Sequence, residues 1–190
     1  MGRMVTEMGA GVGEADPPRP GWAIFRPPSR NHLVASEHLF DLNTIDLNRV
    51  DMSYEEVSKV LPQTGPMRML DHVVFLDKAN FVGLGVKKVR ADEFWVPHHI
   101  PGRPLLPGVL MIEAAAQLCS LVQTIGLDIK GFLGFTHCDS TSFRGQVVPG
   151  DTLYLLARQI ERNRRRFVSH AQGIVNGKLV FETRITGMTF

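Results

Sequence analysis

The run Val109–Ile125 is almost wholly apolar, and it limits what the rest of the chain can be. Pro107-Gly108 opens it and Gly126 closes it, which is the punctuation expected of a helix. A helix that is apolar nearly all round has to be buried, so the remaining chain must supply a layer that wraps it. A bilayer span is the competing reading. The run is at the short limit for crossing and carries Glu113, Gln117 and Gln123 in its middle, so burial inside a soluble fold is expected and a membrane span is not. Four of the polar exceptions are ordered: Glu113, Gln117, Ser120 and Thr124 follow at intervals of four, three and four, which places them on one stripe. A carboxyl on such a stripe needs either an arginine partner or a role in acid–base chemistry. Gln117, one turn on from Glu113, is spaced to hydrogen-bond it and fix its orientation.

The wrapping layer reads as β. Strands are expected over Asp71–Asp77 and Phe81–Arg90, with a turn at Lys78-Ala79-Asn80, and over Thr152–Arg162, Arg166–Val175 and Leu179–Met188. The last alternates, with Leu179, Phe181, Thr183 and Ile185 on one face and Val180, Glu182 and Arg184 on the other. Asn163-Arg164 and Asn176-Gly177 stand where hairpins must turn, the second with the type I′ signature. The strands are therefore mainly antiparallel, on both sides in sequence of one helix, and the fold class is α+β.

The start of the chain differs. Prolines crowd between Pro17 and Pro28, and residues 1–30 read as a disordered segment or a mis-assigned start, with Trp22, Ile24 and Phe25 free to dock weakly. Residues 31–57 form an N-terminal extension in which Ser53 and Glu56 make a capping-box pattern for a short helix over about 54–60. A formal charge of +2 is too balanced for a chain whose main partner is nucleic acid. The two cysteines, Cys119 and Cys138, support neither a disulfide framework nor a Cys-based zinc site, and the chain reads as cytoplasmic. His72, His137-Cys138-Asp139 and His170 lack metal-ligand spacing and are expected to be strand residues; no metal or cofactor is expected.

The stretch from His98 to Gln117, His-His-Ile-Pro-Gly-Arg-Pro-Leu-Leu-Pro-Gly-Val-Leu-Met-Ile-Glu-Ala-Ala-Ala-Gln, resembles the signature of the 3-hydroxyacyl-[acyl-carrier-protein] dehydratases of type II fatty acid synthesis, the FabZ type. Leu61-Pro62 with Pro66 to Asp71, and Phe143-Arg144 with Val147 to Asp151, are similar to flanking segments of that family, so the resemblance runs from about residue 58 to the C-terminus. It implies a hotdog fold over 58–190, a curved antiparallel sheet wrapped around one long buried helix. It also implies a homodimer whose two sites each take the histidine from one subunit and the glutamate from the other, with dimers grouping in threes. The His-x-Pro-Gly spacing carries the catalytic histidine onto His99 and the glutamate onto Glu113, with His98 a neighbour. The chain departs from the family at Ile100, where Phe is usual beside the substrate, and at Gln63-Thr64-Gly65, where His-Arg-Tyr normally gates the acyl tunnel.

Eliminating water from a 3-hydroxyacyl thioester needs a base for the proton next to the carbonyl, an acid for the leaving hydroxide and donors for the thioester oxygen. These roles are expected of His99, of Glu113 oriented by Gln117, and of the Gly108 backbone N–H at the positive end of the helix. The partners implied are the acyl thioester and an acidic acyl carrier protein. Arg164, Arg165 and Arg166 form a basic turn that is either a solvated hairpin or its docking surface. Two alternatives remain: a thioesterase on the same fold, and a non-catalytic acyl-binding subunit. The intact His99-to-Glu113 spacing favours dehydration over both. A related dehydratase–isomerase carries Asp where Glu113 stands.

Overall fold

Among the described residues, six strands pair antiparallel into one sheet: β1 (His72–Asp77), β2 (Val82–Lys88), β3 (Leu133–Phe143), β4 (Thr152–Arg162), β5 (Arg166–Val175) and β6 (Lys178–Thr189). Their order is β1-β2-β4-β5-β6-β3. The computed structural model describes residues 38–190, so the expectations for residues 1–30 and for Trp22, Ile24 and Phe25 lie outside the described residues. The hairpins turn where the sequence says. Asn176 and Gly177 both have positive φ, 49° and 73°, the type I′ geometry. Asn163 holds the other turn through its side-chain oxygen, which accepts from the Arg166 N–H at 2.9 Å.

Helix α1 (Tyr54–Val60) is capped reciprocally by Ser53 and Glu56. Helix α2 (Gly108–Leu127) is longer than its apolar run. It does not stop at Gly126; the left-handed residue that ends it is Asp128, at φ 51° and ψ 44°. Gly126 has a different task. A Cβ there would stand 2.5 Å from the ring of Phe81, which packs across it. Phe81 correspondingly leaves β2 and takes a turn conformation at φ 53°.

α2 packs against one face of the sheet, with Leu118, Leu121 and Val122 buried in one cluster with Leu153, Leu155 and Phe181. α2 has the length and hydropathy of a membrane span, and this packing buries 56% of that stretch inside the fold. Close approach is set by glycine in β2: a Cβ on Gly83 would meet Val122 Cγ2 at 2.6 Å. Gly83→Ala is therefore expected to cost roughly 1–3 kcal/mol through overpacking, read as a lower midpoint in urea denaturation.

Two features correct the sequence reading. In β6, Phe181, Thr183 and Ile185 are buried on the inner face, but Leu179 is not with them. The pairing slips between Gly173 and Ile174, so Val180 becomes the extra residue and turns inward while Leu179 joins the outer face. That outer face carries a second apolar cluster of Val74, Leu84, Leu156 and Ile174, and the N-terminal extension covers it with Leu39, Phe40, Leu42 and Ile45. The Leu39 N–H donates to Gln172 Oε1 at 2.8 Å and ties the extension down.

Candidate active site

The connection 89–107 between β2 and α2 has no regular secondary structure, and connections of this length are usually functional. Its chemistry follows from its turns. Ile100-Pro101-Gly102-Arg103 is a type II turn, with Pro at the second position, Gly102 at φ 78° at the third, and the Arg103 N–H bonded to the Ile100 carbonyl at 2.9 Å. That requirement explains Pro-Gly after the histidine. His99 is held at both ends: its N–H donates to the Trp95 carbonyl at 2.8 Å, and its Nδ1 lies 2.8 Å from the Leu105 carbonyl oxygen. A carbonyl oxygen only accepts, so Nδ1 carries the hydrogen and the neutral ring offers its lone pair at Nε2. The ring is exposed. His98 makes no side-chain hydrogen bond among the described residues.

Glu93 anchors the start of this loop. Its Oε2 accepts from Lys87 Nζ at 2.7 Å and from Trp95 Nε1 at 3.0 Å, and its Oε1 accepts from the Arg90 N–H at 2.9 Å. Burial works to raise the Glu93 carboxyl, but these donors outweigh it and hold the group below the ordinary glutamate range. Arg90 also pairs with Asp71. None of these residues stood out in the sequence.

On α2, Glu113 is half-buried and Gln117 is 1% exposed. Gln117 Nε2 donates to Glu113 Oε1 at 2.8 Å and to the Met67 carbonyl at 2.7 Å, while its Oε1 accepts from the Met69 N–H at 2.9 Å. Three bonds fix the amide in one orientation, so Gln117 presents a donor to one oxygen of the Glu113 carboxyl group and cannot flip without losing backbone partners. Gly108 opens the helix with Pro107 before it and no side-chain cap. The N–H groups of Gly108 and Val109 meet no acceptor among the described residues, as the first turn of a helix dictates. Gly108 also lets the ring of Phe143 close over it, since a Cβ would stand 2.7 Å from Phe143 Cζ.

His99 and Glu113 do not share a hydrogen bond within the chain. Ile100 is exposed beside His99. Further along the stripe, Ser120 and Thr124 line a groove of about 760 Å³ with Gln63, Leu61, Phe132 and Leu133. Ser120 lies about 10 Å along the helix axis from Glu113. Arg164, Arg165 and Arg166 lie at the other end of the sheet from this chain's His99 loop: the loop leaves β2 beside Thr152, whereas the hairpin follows Arg162 at the far end of β4. His72, His137 and His170 sit in β1, β3 and β5.

Known proteins share this fold. In its structure the chain is similar to the dehydratase heterocomplex ApeI:P from Xenorhabdus doucetiae, with TM-score 0.60 and 15% identity over 70% of this chain and 90% of that one. It is similar too to a hypothetical thioesterase with coenzyme A from Streptococcus pneumoniae, with TM-score 0.51 and 14% identity over 63% and 84%. At these identities the likeness speaks to the fold alone, which is the hotdog. By sequence, a 3-hydroxyacyl-[acyl-carrier-protein] dehydratase FabZ of Alkaliphilus metalliredigens is 40% identical over 127 residues, 65% of this chain and 83% of that protein. A FabZ of Bradyrhizobium diazoefficiens is 33% identical over 135 residues, 70% and 88%. The family model described as a FabA-like domain matches residues 61–184, a span that contains both His99 and Glu113. With most of its length accounted for in this way, the chain belongs to the FabA-like family of hotdog dehydratases, among relatives of the FabZ type.

Proposed function

We propose that the chain converts 3-hydroxyacyl-[acyl-carrier-protein] to trans-2-enoyl-[acyl-carrier-protein] with loss of water, in fatty acid or related lipid synthesis. The observation that carries this reading is the His99 Nδ1–Leu105 carbonyl bond, which fixes one tautomer and leaves Nε2 free to act as a base. Nε2 takes the proton from the carbon next to the thioester carbonyl. The electron pair of that C–H bond forms the carbon–carbon double bond as the C3–O bond breaks. Glu113, held by Gln117, gives its proton to the departing hydroxyl, which leaves as water. The proton on His99 then returns to Glu113 through solvent. The Gly108 N–H stabilises charge on the thioester oxygen meanwhile, helped by the helix dipole.

The reading includes a second copy of the chain. An exposed His99, a half-buried Glu113 with which it shares no bond, and a β3 edge left unpaired among the described residues all support sites completed between two subunits. The expected dimers grouping in threes would be read from the mass in solution. The groove beyond Gln117 offers room for part of an acyl chain, with Ile100 on the substrate side of His99. In a dimer the Arg164–Arg166 turn of one subunit remains the candidate docking surface for an acidic carrier protein.

The test is incubation of the purified protein with 3-hydroxyacyl-carrier protein, followed by mass spectrometry of the acyl group. Loss of one water supports the reading. Release of the free hydroxy acid would point to a thioesterase, and no change at any chain length to a binding subunit; either result ends the dehydratase reading.

A further inference from the structure

We propose that Lys87 and Glu93 are positioning residues for His99, acting through Trp95. The proposal rests on the catalytic reading of His99 given above. The long loop that carries His99 has no helix or strand to stiffen it, yet ordering it costs conformational entropy at every residue. Among its anchors is an ion pair. Lys87 projects from β2, which lies between β1 and β4 in the sheet. Its side chain is only 3% exposed, and Glu93 is 12% exposed. A buried ion pair is poor at adding stability compared with well-packed apolar side chains. It does impose direction: the carboxylate can take the Lys87 ammonium, the Trp95 indole N–H and the Arg90 N–H only in one arrangement.

Trp95 passes this constraint on. Its side chain is buried at 2% exposure. Its carbonyl accepts the N–H of His99 at 2.8 Å and of His98 at 3.1 Å. The path from the sheet to the imidazole therefore runs Lys87, Glu93, Trp95, His99, each link a hydrogen bond. When the charge pairing is broken the group at position 93 is no longer held against Lys87, the indole that donates to it shifts with it, the loop backbone follows, and the Nδ1 bond to Leu105 that sets the tautomer loosens. A displacement of about 1 Å at a reacting group is enough to cost on the order of 10²-fold in rate.

The experiment compares Lys87→Met, Glu93→Gln and the double variant with the wild-type protein. We expect kcat to fall by roughly 10–100-fold in each single variant with KM within about twofold of wild type, because substrate contacts are untouched. The double variant should lose no more than about twofold beyond the worse single one, since the two residues act as one unit. A merely structural role would lower the melting temperature and leave kcat per folded molecule unchanged, and that outcome overturns the proposal. Amide hydrogen exchange followed by NMR gives a readout independent of turnover. The His99 N–H should exchange at least about tenfold faster in both variants while the α2 amides keep their protection; unchanged exchange at His99 also overturns it. If the wild-type protein dehydrates no substrate, the functional reading fails by itself, and the exchange rates alone decide whether the relay holds the loop.

Discussion

His99→Ala is expected to lower kcat for dehydration by roughly 10²–10⁴-fold, the range that a positioned general base supplies. The side chain is exposed and its sole hydrogen bond runs to the Leu105 carbonyl, so its loss leaves the core intact and the melting curve close to wild type. The Leu105 carbonyl is left to solvent, while the loop stays tied through the His99 N–H to Trp95 and the Leu106 N–H to Val147. His98→Ala serves as the control, because His98 makes no side-chain hydrogen bond among the described residues and nothing fixes its tautomer. Activity is read from the enoyl product by mass spectrometry on protein matched for folded content. Loss of turnover in His98→Ala with turnover retained in His99→Ala would move the base by one position and remove the argument from the Leu105 bond.

Much of this fold was legible because its pattern is unambiguous where burial is complete. An apolar run with four polar residues on one stripe reads as a core helix, and Gln117 meets Glu113 at the spacing the helix period demands. The misses have physical causes. β3, Leu133–Phe143, was not read as a strand because it is a sheet edge: its residues are mostly exposed, so Thr, Ser, His and Asp stand where alternation would need apolar groups. Gly126 reads as a terminator, but glycine serves equally for close approach, and only the fold shows that Phe81 lies across it. The residues 39–45 carry too short an apolar pattern to reveal a partner, since the outer face they cover is assembled from β1, β2, β4 and β5. The same holds for the site. His99 and Glu113 come to the candidate site from a motif, whereas Glu93 is placed by bonds to Lys87 and Trp95 that leave no periodic trace.

Glu113→Gln is expected to abolish dehydration as thoroughly as His99→Ala, by roughly 10²–10⁴-fold, because a carboxamide is far too weak an acid to give a proton to the leaving hydroxyl. It should also fold normally, since the new amide oxygen can still accept from Gln117 Nε2 in the place of Glu113 Oε1. Two inactive proteins with intact folds make a decisive mixture. If each site takes His99 from one subunit and Glu113 from the other, a mixed dimer of His99→Ala and Glu113→Gln subunits has one site carrying both lesions and one carrying neither. Random assortment makes half of the dimers mixed, each with one of two sites intact, so refolding the variants together at equal amounts should restore about a quarter of wild-type activity. If each chain instead supplied both groups to its own site, every site in the mixture would lack one of them and no activity would return. The exposed His99, sharing no bond with its own Glu113, points to the first result.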